Sequence, residues 1–84
     1  MELNKVRLCG RIEELDNKSA INLGAIIATI SLDKNHKKKV LFPIQADGNL
    51  KIGSYCSYTT NIFGNCANIG SNNYKIAEEI VYRN

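Results

Sequence analysis

Lys5-Val6-Arg7-Leu8-Cys9-Gly10-Arg11-Ile12 is the stretch that decides the fold. Val6, Leu8 and Ile12 share one face, with Gly10 in register between them. Lys5, Arg7, Cys9 and Arg11 share the other. A period of two marks a half-buried strand, because successive side chains alternate across an extended backbone. A glycine inside such a strand predicts a bulge or a sharp bend, as at a barrel corner.

Working outward, residues 13–23 lose the alternation and carry turn formers, which predicts a loop. Residues 24–33 resume it. Ile26, Ala28, Ile30 and Leu32 would face inward, and Ile27, Thr29 and Ser31 outward. Lys34-Asn35-His36-Lys37-Lys38-Lys39 reads as a basic hairpin tip. Residues 39–46 group Val40, Phe42 and Ile44. Pro43 lacks an N–H and belongs at a bulge or an edge. Asp47-Gly48-Asn49 is a turn signal.

In residues 54–63, Cys56, Tyr58, Thr60 and Ile62 share one face. Tyr55, Ser57, Thr59, Asn61 and Phe63 share the other. Gly64 to Asn73 reads as a loop, and residues 74–82 as the last strand. A helix over Ile76–Arg83 would be short and only half apolar, so a strand is preferred. Five short strands with regularly spaced turns predict an all-β barrel or sandwich. The expected core is Val6, Leu8, Ile12, Ile26, Ala28, Ile30, Val40, Phe42, Ile44, Cys56, Tyr58, Ile62, Ile76 and Ile80.

The bulk properties set limits around that reading. The 84 residues suit one domain, 1–84, with 44% hydrophobic and 23% charged residues, a globular balance. No apolar run approaches the roughly 18–20 residues of a membrane span. The N-terminus lacks the apolar core of a signal peptide, so a cytoplasmic location is the expectation. The formal charge of +3 permits a nucleic-acid partner without demanding one. Cys9, Cys56 and Cys66 have no metal-site spacing and read as reduced thiols, so no disulfide, metal or cofactor is expected. A core this small also predicts a homodimer or higher homo-oligomer, joined through strand edges or the face carrying Ile27 and Leu41.

Four segments carry a resemblance, in order along the chain. Leu3-Asn4-Lys5-Val6-Arg7-Leu8-Cys9-Gly10-Arg11-Ile12 resembles the first strand of bacterial single-stranded DNA-binding proteins. Ile30-Ser31-Leu32 resembles their second strand. Leu50-Lys51-Ile52-Gly53-Ser54-Tyr55-Cys56-Ser57-Tyr58 resembles the entry into their fourth. Ile76-Ala77-Glu78-Glu79-Ile80 resembles their closing strand. The primosomal replication proteins are equally similar. The resemblance implies a five-stranded antiparallel OB-fold barrel and binding of single-stranded DNA. Three features depart from the family. Only Asp47 to Lys51 joins strands three and four, so the family's helix there is absent. The acidic C-terminal tail and the stacking tryptophans have no counterpart. The resemblance is thus to a trimmed variant.

Binding a single strand without sequence preference needs cations to track phosphates and aromatic faces to stack bases. Lys34, Lys37, Lys38 and Lys39 supply cations on the hairpin, and Lys5, Arg7 and Arg11 on the outward face of the first strand. Phe42 and Tyr58 fall on core faces. Phe63 and Tyr74 are the expected stacking surfaces, with Tyr55 also outward. These residues predict a non-specific binder of single-stranded DNA or RNA, serving replication, recombination or a mobile element.

An enzyme is not expected. His36, the lone histidine, sits in the lysine run. Glu13-Glu14 and Glu78-Glu79 are adjacent pairs, and neighbours in a strand point to opposite faces. The alternative is a small β-barrel protein-interaction module, an adaptor or inhibitor. It is suggested by the missing tryptophans and the outward apolar residues Ile27 and Leu41.

Overall fold

The computed structural model describes residues 4–83; Leu3, quoted in the resemblance, lies outside them. Seven strands form one sheet: β1 (Lys5–Asp16), β2 (Ala25–Ser31), β3 (Lys37–Pro43), β4 (Tyr55–Asn61), β5 (Cys66–Ile69), β6 (Asn72–Ile76) and β7 (Glu78–Arg83). Their order is β5-β6-β3-β2-β1-β4-β7. The expectation of five strands is therefore corrected to seven, and that of a wholly antiparallel sheet also fails. Val40 and Leu41 of β3 pair with Lys75 and Ile76 of β6 in parallel.

The extra strands have local causes. The Asn/Gly/Ser-rich segment after β4 folds as a hairpin, β5–β6, turning at Gly70 in the left-handed region (φ 62°). The expected last strand is split at Ala77. Its first part pairs with β3 and its second with β4. The sheet is thus not a closed ladder. Chain continuity through Ala77 joins β6, next to one end of the order, to β7 at the other, and the Ala77 N–H donates to the Leu41 carbonyl at 2.8 Å.

β1 runs on to Asp16, through residues expected to be loop. Its first half, Lys5–Arg11, pairs with β4, and its second half, Arg11–Asp16, with β2. Gly10 sits where the halves meet. A Cβ there would lie 2.5 Å from Ile30 Cγ2 and 2.6 Å from the Ser31 carbonyl oxygen. Only glycine lets β2 approach this closely, which is the bend that the sequence predicts. A register shift between Ile12 and Glu14 adds a bulge beside it.

Between β3 and β4 the chain makes a single 3₁₀ turn, Ile44–Ala46, and no helix of the resemblance's kind. Ala46 and Leu50 from this linker are buried against the core. Ile12, Ile26, Ala28, Ile30, Val40, Phe42, Cys56 and Tyr58 are buried as expected, and Leu8, Ile44 and Ile80 pack against them. Phe42 and Tyr58 meet edge to face, with centroids 5.7 Å apart at 68°. Burial pushes the Tyr58 hydroxyl up to about 12 and the Cys56 thiol up to about 11. Both groups are neutral at any physiological pH.

Three expected core positions are corrected. Val6 and Ile62 keep 40% and 47% of their surface exposed, because they lie at strand ends where the barrel opens. Ile76 joins a second cluster instead. There Ala20, Ala25, Ile27 and Leu41 are buried, with Ala67, Ile69, Tyr74 and Ile76 packed over them. Ile27 and Leu41, read as outward residues of a subunit contact, are 6% and 3% exposed. They do point outward from the barrel, but the β5–β6 hairpin covers them. The expected oligomer contact through that face is therefore not available. No helix among the described residues is long and apolar enough to cross a membrane.

Candidate nucleic-acid interface

The outer face of β1, β2 and β3 is built in three parallel rows. Alternation sends Ile27, Thr29 and Ser31 of β2 outward. Cross-strand pairing sets Leu41, Lys39 and Lys37 of β3 beside them. On the other flank stand Asp16, Glu14 and Arg11 of β1. Successive outward residues on one strand lie about 7 Å apart, close to the spacing of nucleotides in an extended strand.

Two clefts open along this face. The first, about 320 Å³, lies between the β5–β6 hairpin and the sheet. Glu14, Asp16, Thr29, Lys39, Ile69 and Tyr74 are among the residues lining it. The second, about 400 Å³, lies under the β2–β3 hairpin. Arg11, Ser31, Lys34, Lys37 and Tyr55 line it together with Glu13 and Asp33. Thr29 and Ser31 are consecutive outward residues of β2, so the clefts follow one another along the strand. Tyr74 stands at one end and Tyr55 at the other.

The sequence-predicted residues divide between this face and two other places. Arg11, Lys34, Lys37, Lys39 and Tyr74 come together on it. Lys37 and Lys39 are not on a hairpin tip but in β3, and their neighbour Lys38 takes the opposite face. Lys38 pairs in register with the buried Ile30 and reaches the open end of the barrel. One lysine run is thus split by the two-residue period of the strand it forms.

Lys5 and Arg7 lie on the other half of the molecule. Arg7 Nη2 donates to Ser57 Oγ and to the Glu79 carbonyl, both at 3.0 Å. It thereby ties β1 to β4 and to β7, at the register shift between Ser57 and Thr59. Glu79 itself has a positive φ of 46°, a strained value for a residue with a side chain. Lys5 pairs with Glu78 at 2.8 Å. Lys5 and the Asn65 amide, which also bonds Glu78, hold that carboxyl below its ordinary range. The expectation that Lys5 and Arg7 serve the same face as Lys37 and Lys39 is corrected: they brace the β1–β4–β7 half.

Phe63 is 81% exposed and follows β4 at the open end of the barrel, outside both clefts. The reading of the sequence missed Tyr55 as a site residue. The signal was present: Tyr55 is outward on β4 and pairs with Arg11. What was missing was the fold of the β2–β3 hairpin, which brings Lys34 and Lys37 up to that ring.

The loops flanking the face are held by short acidic caps. The Asp16 carboxylate accepts from the Ser19 hydroxyl at 2.6 Å and from the backbone N–H groups of Ser19 and Lys18. The Ser19 hydroxyl leads in pulling this carboxyl down to about 2. Asp33 caps the β2–β3 turn by accepting from the Asn35 N–H at 2.8 Å, and it pairs with His36. These bonds hold it below its ordinary value. His36 is occupied in this turn. Among the described residues no three His, Cys, Asp or Glu side chains are placed to share a metal ion.

A third opening, about 420 Å³, is apolar. Leu23, Ala25, Leu41, Pro43, Ala67 and Ile76 are among its lining residues.

No family model matches the chain, and no curated protein matches it. Among solved structures, the fold is similar to a chain in the crystal structure of the S. pombe Stn1-ten1 complex. The TM-score is 0.64 at 16% sequence identity, and the match covers 98% of this chain and 60% of that one. This chain thus spans about 60% of the neighbour's length. The likeness carries the fold alone: an all-β, OB-type arrangement with more strands than the minimal five.

Proposed function

We propose that this protein binds single-stranded nucleic acid, most readily DNA, without sequence preference, along the outer face of β1–β3. One observation carries the reading. Arg11, Lys34, Lys37 and Lys39 line two consecutive clefts with a tyrosine at each end. That is the combination of backbone-tracking cations and stacking rings that such binding requires. The sequence resemblance to bacterial single-stranded DNA-binding and primosomal proteins supports the same surface, and so does the OB-type fold. The role is binding and not catalysis, within one domain of the replication or recombination machinery or of a mobile element.

The test is a salt titration of binding to oligo-dT and to a duplex of equal length. Preference for the single strand, with affinity falling steeply as salt rises, supports the reading. No binding at low salt removes it.

A second reading has its own observation. The same face carries Glu13, Glu14, Asp16 and Asp33 among its four cations, so it is close to electrically balanced. Balanced polar faces suit a protein partner, and the apolar opening around Leu41 and Ile76 would extend such a contact. If oligo-dT fails to bind, the interaction-module reading stands in its place. A homo-oligomer joined through the free edges of β5 or β7 is compatible with either reading.

A further inference from the structure

The open end of the barrel is built unlike the nucleic-acid face. Val6, Leu8, Val40 and Ile62 form an aliphatic floor in an opening of about 320 Å³, with Thr60 beside them. Lys38, Lys39 and Lys75 stand around it, and no acidic residue lines it. Among the described residues none of these three lysines has an ion-pair partner. The Lys75 ammonium donates to the carbonyls of Asn61 at 2.7 Å and Ile62 at 2.8 Å. Two of its three N–H groups are thus committed to carbonyls and the third is left. Two residues of the floor, Val6 and Ile62, are themselves 40% and 47% exposed.

Three ammonium groups around an aliphatic floor that no carboxylate lines select for a partner with the complementary pattern. The partner must bring negative charge at the rim and apolar surface at the centre. A nucleobase fits the floor poorly, since its hydrogen-bonding edge would be buried against aliphatic carbon without partners. Leucine, isoleucine or valine side chains lose nothing there. With Val6 and Ile62 of its floor exposed, the opening suits a segment of chain more than an enclosed small molecule.

We infer that the open end of the barrel is a docking site for an acidic peptide segment bearing aliphatic side chains. This goes beyond the nucleic-acid reading. Only Lys39 is shared between the two surfaces.

A displayed library of random twelve-residue peptides, selected on the full chain, tests the inference. The expected result is enrichment of peptides that combine Asp or Glu with Leu, Ile or Val. The best peptide, fluorescein-labelled, should bind Lys38→Glu about tenfold or more weaker, because like charges then meet at the rim. Ile62→Ser, at a half-exposed position, should weaken it similarly. Amide chemical-shift changes should centre on Val6, Val40, Thr60 and Ile62. Oligo-dT binding should be unchanged in Lys38→Glu, so failure here is separable from failure of the nucleic-acid reading. Library selection without acidic-aliphatic enrichment overturns the proposal. So does binding that survives Lys38→Glu, or shifts that centre on the groove around Leu41. Equal loss of peptide and oligo-dT in Lys38→Glu would assign the opening to nucleic acid instead.

Discussion

The two halves of β1 carry cations of the same kind and put them to opposite use. In the first half, Arg7 is bonded to Ser57 and Glu79, and Lys5 to Glu78. In the second, Arg11 faces an open cleft with Lys34 and Lys37, and its one ion pair among the described residues is a loose contact of 3.8 Å to Glu13. The contrast shows that a basic residue on an outward strand face is not yet a binding residue. What decides is whether the neighbouring strand offers it an acceptor. β4 does so through the Ser57 hydroxyl and β7 through the Glu79 carbonyl and the Glu78 carboxylate, whereas beside Arg11 the β2–β3 hairpin brings further lysines, Lys34 and Lys37.

The largest effect should come from breaking the junction between the halves. Gly10→Ala forces a methyl group onto Ile30 and a backbone carbonyl. Overpacking of this kind costs about 1–3 kcal/mol. For a domain of this size each kcal/mol lowers Tm by about 4–8 °C. Thermal unfolding by circular dichroism would read the loss, and an unchanged Tm would mean that the strands are not in this close contact.

Next is the braced half. Arg7→Ala removes two hydrogen bonds from a cation, of which only the one to Ser57 is partly shielded from water. The expected loss of stability is about 1–2 kcal/mol, at the lower side of the range for charged groups. The slope of binding against salt should not change. A flattened slope with intact stability would instead return Arg7 to the binding surface.

The open half should behave in the reverse manner. The double variant Lys37→Ala, Lys39→Ala should leave stability within about 0.5 kcal/mol, as for surface positions generally. It should flatten the salt dependence by about 1.4 units, at about 0.7 per phosphate contact on a single strand. Lys38→Ala alone should leave the slope unaltered. Tyr55→Ala should weaken binding by about 1–3 kcal/mol without changing the slope, since stacking releases no counterions. If the double variant and Lys38→Ala flatten the slope equally, the alternation described for β3 does not govern binding.

The smallest effect lies at the far end of the open half. The Asp16 carboxyl sits near 2, against an ordinary 3.8. Its contribution to stability is therefore complete above about pH 4 and is lost as pH falls through about 2. An NMR titration of this carboxyl should give a midpoint near 2 in the parent. In Ser19→Ala, which removes the leading donor, the midpoint should move toward 3.8. A parent midpoint already at 3.8 would show that Asp16 does not cap the β1–β2 loop.

Much of this was legible in the chain because strand alternation is local. It named eight of the buried core residues and the bend at Gly10. It also foresaw the absence of a helix before β4, since so few residues join the strands there. It placed Arg11, Lys34, Lys37, Lys39 and Tyr74 as site candidates; the fold sets the first three in one cleft and Lys39 and Tyr74 in the other. It missed Tyr55 as a site residue, because the hairpin that approaches that ring is about twenty residues nearer the N-terminus. β5 and the first two residues of β6 were read as loop, since these strands are only four and five residues long, carry asparagines and alternate only weakly.

By itself, the sequence determined which residues share a face, for the period of a strand follows from backbone geometry within a few residues. Only the tertiary structure decided which faces meet something. Ile27 and Leu41 point away from the barrel as their positions require, yet the β5–β6 hairpin, which begins 39 and 25 residues further along the chain, buries them. Arg7 points outward as Arg11 does, yet it is the one that finds a carbonyl. Such pairings depend on long-range register and on where the chain returns, and no short-range pattern encodes either.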